Sequence, residues 1–191
     1  MTSEQRKAVL DIARRAVEAA LRGSDVRISS VVELPEAFSG AFVTLKHGPR
    51  LRGCMGTFRP LGDLAETIDS VARTSCLEDP RFAQQRITLD ELNDLTIEIS
   101  VLDQPERTDD PAGLEVGRHG VLIRRGTASG CLLPQVAVER GWSAEEFLSQ
   151  CCSGKAGLDA DAWRDPETEV QLFDAEVFKE SAPGRYDPEP D

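Results

Sequence analysis

The chain is 191 residues long, 40% hydrophobic and 29% charged, which suits one substantial domain and excludes a disulfide miniprotein, a disordered chain or a fibre. Its 22 basic against 34 acidic residues leave a net charge of -12, a field that repels phosphate backbones and anionic lipid and so excludes general nucleic-acid and membrane partners. Five cysteines without a CxxC pair and only two histidines make neither a disulfide framework nor a zinc site, so the thiols are read as reduced and the protein as cytoplasmic.

From the first residues, Val9, Ile12, Ala13, Ala16, Val17 and Ala20 recur at helical spacing. Thr2 with Gln5 three residues on forms a capping box, and Gly23 ends the helix. Ala41, Val43 and Leu45 alternate, His47-Gly48-Pro49 turns, and a return strand from Leu51 completes a hairpin. Leu61, Leu64, Ala65, Ile68, Val71, Ala72 and Ser75 mark the inner face of a second helix, stopped by Asp79-Pro80. Ile97, Ile99 and Val101 predict a half-buried strand. Val121–Ile123 and Cys131–Leu133 predict shorter strands parted by Gly126 and Gly130. Ser143 and Glu146 box the start of a helix of about three turns, stapled by Trp142 and Phe147. Gln171–Phe178 supplies a late strand, and residues 181–191 read as a frayed tail after a domain spanning residues 1–180. Helices mixed with hairpin-like strands and no βαβ repeat predict an α+β fold with a mixed or antiparallel sheet flanked by helices.

Between Ala37 and Gly62 stand Lys46, Arg50, Arg52 and Arg59, with no acidic residue. At the centre is Leu51-Arg52-Gly53-Cys54-Met55-Gly56-Thr57-Phe58. In a regular strand Arg52 and Cys54 share a face, where a guanidinium favours the reactive thiolate. Gly53 and Gly56 leave room for a ligand or for another backbone. Two readings of Cys54 stand: a nucleophile in an anion pocket, and a small hydrophobe in a crowded sheet. Cys76, Cys131, Cys151 and Cys152 read as packing residues.

LRGCMGTF resembles the hallmark of the AMMECR family. Further similarities follow in the family's order: Phe42-Val43-Thr44-Leu45, Asp79-Pro80-Arg81-Phe82, Ser100-Val101-Leu102, Gly117-Arg118-His119-Gly120, Leu133-Pro134-Gln135-Val136, Gly141-Trp142 and Lys155-Ala156-Gly157-Leu158. The resemblance implies an α+β fold with a larger and a smaller lobe around a cleft, and the hallmark as functional site. It also implies association with Memo-like and radical SAM proteins, as in the bacterial AmmeMemoRadiSam grouping. Two departures stand out: Met55 replaces the usual isoleucine, and an extra residue precedes Lys155.

The candidate site follows. Cys54 is the nucleophile and His119, in a glycine-flanked turn, its base, a pair suited to acyl transfer or hydrolysis with backbone N–H groups near Gly53 or Gly56 receiving the oxyanion. Arg52, Gly53, Gly56, Thr57, Asp79, Arg81 and Gln135 are the substrate-binding candidates, for a small anionic molecule or a peptide carboxylate. Each also has a plain structural role: His119 and Asp79 as turn residues, Gln135 in a helix's first turn, and Thr57 on the face opposite Cys54. The competing function is a ligand- or protein-binding module using the same surface without turnover. No dinucleotide fingerprint, P-loop, HExxH or calcium loop is present, so no cofactor and no metal are expected.

Overall fold

The computed structural model describes residues 1–188, and these divide into two units: residues 1–101 with 176–188, and residues 102–175. The fold is α+β, with antiparallel hairpins and flanking helices, as the sequence predicts.

In the first unit, α1 (Ser3–Leu21) begins with both bonds of the Thr2–Gln5 capping box. The next residue after its last turn, Gly23, adopts φ 69, the left-handed geometry that releases a helix into a loop. β1 (Gly40–His47) and β2 (Arg50–Thr57) form the hairpin. Its two-residue turn, Gly48-Pro49, has Gly48 at φ 55. α2 (Leu64–Leu77) is capped by Asp63 and Glu66 and packs on α1, β1 and β2. Leu61, read as part of its inner face, instead precedes the cap and is exposed.

β3 (Leu95–Leu102) is buried along both faces, not half-buried: Glu98 and Ser100 are covered as well. The reason is its central place in the order β2-β1-β3-β7, where β7 is Glu169–Lys179, together with the Lys46–Glu98 ion pair at 3.2 Å that neutralises the covered carboxylate. Only the last residues of β7, from Glu176, belong to this unit. The apolar stripes of α1 and α2 meet Ala41, Val43, Leu45, Ile97 and Ile99 in its core. Beyond β7, Ser181 donates its N–H to the Arg185 carbonyl at 2.8 Å and Tyr186 packs on this core. Of the stretch read as a frayed tail, residues 181–185 thus close a turn, and 189–191 lie outside the described residues.

In the second unit, the first part of β7 runs between β4 (Glu106–Arg107) and β5 (His119–Arg125), and β6 (Ala128–Leu132) pairs with β5. α3 (Pro134–Arg140) starts on proline, and α4 (Ala144–Cys151) starts on the complete Ser143–Glu146 box. Phe147, Leu148, Cys151, Val121 and Ile123 lie in the core. α4 is shorter than three full turns because it passes into a π-helical segment, Cys152–Ala156, closed by Gly157 at φ 69. This wide segment holds one more residue per hydrogen-bonded turn than an α-helix, and it lies where the resemblance places an extra residue. Gly130, read as a turn former, lies inside β6, where a Cβ would stand 2.4 Å from the Ala156 nitrogen.

Candidate functional site

Register decides what surrounds Cys54. Leu45 pairs with Gly53 but Lys46 pairs with Leu51, so Arg52 is the unpaired residue of a β-bulge. The bulge breaks the alternation on which a shared face for Arg52 and Cys54 depends. Arg52 is 6% exposed and donates from Nε and Nη2 to the two carboxylate oxygens of Glu91 at 3.0 and 3.1 Å. Burial pushes the Glu91 carboxyl up, but the Arg52 hydrogen bond and those from Thr88 outweigh it and hold the group below its ordinary range. Arg52 is therefore a structural cation, in place of the thiol partner expected from the sequence.

The cation at Cys54 is Arg81. Its Nη2 donates to the Cys54 carbonyl at 2.9 Å and to Asp79 Oδ2 at 2.6 Å, while Nε donates to Asp79 Oδ1 at 2.9 Å. Asp79, 3% exposed, accepts the Cys54 N–H at 2.9 Å. The pair thus takes both backbone polar groups of Cys54. Asp79 caps the single helical turn Pro80–Phe82, which brings Arg81 back across the strand. Burial pushes the Asp79 carboxyl up, but hydrogen bonds from the Arg81 side chain and from the Cys54 and Arg81 N–H groups hold it below the usual carboxylate range. Arg81 is raised above its ordinary value, by Asp79 first and to a lesser degree by the Cys54 side chain. Its Nη1 meets no oxygen among the described residues, and the side chain is 48% exposed. Phe82 lies beneath both guanidiniums, Arg52 and Arg81, at 5.9 and 5.8 Å from the ring centre.

Cys54 is partly exposed, and its sulfur accepts a hydrogen bond from the Thr44 hydroxyl at 3.3 Å, directly across the hairpin. Thr44 carried no sequence signal beyond its place in Phe42-Val43-Thr44-Leu45; only the register selects it. Ser75 of α2 is a second residue found by structure alone. Its buried hydroxyl accepts the Met55 N–H and donates to the Val43 carbonyl, each at 2.9 Å, wedging between the two strands.

The two glycines have structural occupants. A Cβ at Gly53 would stand 2.1 Å from the Ser75 carbonyl oxygen, and one at Gly56 would stand 2.2 Å from the Phe42 ring. Of the alternatives left open for Gly53, the neighbouring backbone fills the space. Thr57 closes a local turn, its hydroxyl donating to the Arg59 carbonyl at 2.9 Å and accepting the Arg59 N–H at 3.0 Å.

His119 and Gln135 belong to the second unit. His119 Nδ1 accepts the Glu115 N–H at 3.0 Å, and Nε2 lies 3.7 Å from Asp174 Oδ1. With Nδ1 occupied as an acceptor, the neutral ring carries its proton on Nε2. As placed, it offers no free lone pair to a thiol. Gln135 occupies the first turn of α3 behind Pro134. Among the described residues no cluster of three or more His, Cys, Asp or Glu side chains is placed to hold a metal, and no helix is long and apolar enough to cross a membrane.

Comparison with known proteins bears on the family and the fold. The AMMECR1 family model matches residues 10–178. A protein of Methanothermobacter thermautotrophicus is 40% identical over 190 residues, covering 94% of this chain and 96% of that protein. One from Thermococcus kodakarensis is 44% identical over 189 residues, covering 90% and 88%. The crystal structure of an uncharacterized protein from Pyrococcus horikoshii matches with a TM-score of 0.89 at 38% identity, over 97% of this chain and 96% of that one. Matched over most of its length in both sequence and fold, the chain belongs to the AMMECR1 family.

Proposed function

We propose that the protein is a cysteine-dependent enzyme acting on a small anionic or carboxylate-bearing substrate, with Cys54 as nucleophile and Arg81 as the cation beside it. One observation carries the reading: the Asp79–Arg81 pair grips both backbone polar groups of Cys54, while the residue stays partly exposed beside a guanidinium with an uncommitted Nη1. Such a grip fixes the nucleophile before substrate arrives, so little ordering is left for the reaction step. The thiol loses its proton to water, and the thiolate forms an S–C bond at an acyl carbon. The alcohol or amine that is expelled takes up a proton, and water then hydrolyses the thioester. Arg81 Nη1 receives the substrate's negative charge.

A second reading, a binding module without turnover, is favoured by one specific feature. The neighbour of the sulfur is the hydroxyl of Thr44, and the imidazole of His119 is engaged at Nδ1 within its own unit.

Paired alkylation tests the first reading. Iodoacetate and iodoacetamide differ by one negative charge, so the ratio of their rates at Cys54, compared with a free thiol, reports a cation that receives a carboxylate. The ratio should favour iodoacetate and fall to the free-thiol value in Arg81→Gln. A Cys54 that resists both reagents in the folded protein, or a ratio that Arg81→Gln leaves unchanged, sinks the proposal. With a substrate in hand, Cys54→Ser separates the two readings, because turnover stops in the first and binding persists in the second.

A further inference from the structure

We propose that the guest of the Cys54 site is amphiphilic: besides its negative charge it carries an apolar group, and Phe42 with Phe58 forms the shelf that receives that group. This rests on the reading of Cys54 as a nucleophile, and it names the part of the substrate that Arg81 does not hold.

The hairpin register puts the shelf beside the thiol. Thr44 stands opposite Cys54, and Phe42 stands opposite Gly56. Residues two apart on a strand project from the same face, so Phe42, Thr44 and Cys54 share one face with the open side of Gly56. The Thr44 hydroxyl meets the Cys54 sulfur on that face, and the Phe42 ring occupies the space where a Gly56 side chain would stand. Gly56 lies one strand repeat, about 7 Å, from Cys54.

Two glycines on this face make room for the rings. A Cβ at Gly56 would stand 2.2 Å from Cγ and Cδ1 of Phe42, and one at Gly40, two residues before Phe42, would stand 2.9 Å from the Phe58 Cα. With no side chain at either position, the Phe42 ring lies over the strand and Phe58 meets it edge to face, ring centres 5.5 Å apart and planes at 71°. Both phenylalanines are partly exposed. The apolar core of this unit draws on the other face of the hairpin, through Ala41, Val43 and Leu45, and neither phenylalanine is part of it.

Two hydrocarbon rings give a polar guest nothing in exchange for the water it would lose, whereas an apolar group laid on them is drawn out of water along with the rings. The cation stands on the other side of the thiol. Arg81 reaches the Cys54 carbonyl at the outer margin of β2, while the Phe42 ring comes from β1 on the inner side of that strand. The charge and the apolar group of the guest therefore diverge from the carbon that the sulfur attacks. A short hydrophilic anion meets Arg81 alone; an acyl compound with a carboxylate at one end and hydrocarbon at the other meets both.

The test compares N-cyclohexylmaleimide with N-(2-hydroxyethyl)maleimide, which share the reacting alkene and differ only in the group on nitrogen. The ratio of their rates at Cys54, divided by the same ratio at glutathione, reports an apolar subsite beside the thiol. It should be about fivefold or more, the gain from removing roughly 40 Å² of apolar surface from water. Phe42→Ala and Phe58→Ala should each lower it toward one, with folding checked by circular dichroism. Phe58 follows the last residue of β2, so its variant leaves the paired strands intact should Phe42→Ala fail to fold. Arg81→Gln should keep the maleimide preference while losing the iodoacetate preference. A parent ratio of one, or a ratio that both phenylalanine variants leave unchanged, overturns the shelf. If the iodoacetate preference stands in that case, only the shelf falls; a Cys54 that no reagent modifies removes the shelf and the nucleophile together.

Discussion

A thiol's usefulness depends on what its sulfur meets, and four of the five cysteines separate on that basis. Burial pushes the Cys76 thiol up to about 12, and burial likewise raises Cys151 and Cys152, so at neutral pH these three carry almost no thiolate. Short treatment of the folded protein with iodoacetamide at neutral pH, read by peptide mass spectrometry, should therefore modify Cys54 and leave Cys76, Cys151 and Cys152 unmodified. Labelling of Cys76 ahead of Cys54 would contradict this order. Asp79 is the residue on which the geometry at Cys54 depends, because it is buried and accepts a backbone N–H along with the Arg81 guanidinium. Asp79→Ala should cost about 2 kcal/mol, the range of a hydrogen bond to a charged group, measured by urea denaturation. It should also slow alkylation of Cys54. The sequence placed Asp79 and Arg81 among the candidates but assigned the wrong arginine to the thiol, because a bulge shifts the strand's phase by one residue and leaves no mark in composition.

At the level of elements, the same hairpin shows which glycines are needed. Gly53→Ala drives a methyl into the backbone of α2, which cannot swing aside, and should destabilise by about 3 kcal/mol. Gly56→Ala meets the Phe42 ring as far back as Cγ, so the ring must leave its rotamer, and should cost about 2 kcal/mol. Thermal or urea unfolding of the two variants should show that ranking; equal losses would refute the close helix–strand approach. Ser143→Ala removes the oxygen that accepts the Glu146 N–H at the start of α4 and should cost about 1 kcal/mol. The helices, their caps and the hairpin were legible because each rests on a local period or a short motif: Thr2 with Gln5, Ser143 with Glu146, Gly48 with Pro49. What stayed hidden depends on contacts distant in sequence. Glu98 and Ser100 look solvent-facing until β1 and β7 cover their strand, and Gly130 looks like a turn until the π-helical segment rests on it.

Across the molecule, two of the four basic residues around the hallmark are neutralised by acids from elsewhere in the chain. Lys46 pairs with Glu98 and Arg52 with Glu91, while Arg50 bonds the neutral Gln85. The positive charge read from residues 37–62 is thus halved in the fold, with Arg50 and Arg59 the two of the four that meet no carboxylate among the described residues. The same pairs set the acid response. Asp79 and Glu91 are depressed in the folded chain, so their contribution is complete above the unfolded carboxyl values of about 4 and is lost as pH falls through the lower folded values. Melting temperature should therefore drop steeply below about pH 4, and the drop should be shallower in Asp79→Asn, which has no proton to take up there. Finally, β2 ends the strand order, with Cys54's outward amide and carbonyl already bonded to Asp79 and Arg81. At that point of the margin a passing strand finds both bonding groups taken. The acid–arginine couple thereby interrupts the free rungs of the edge strand at its middle.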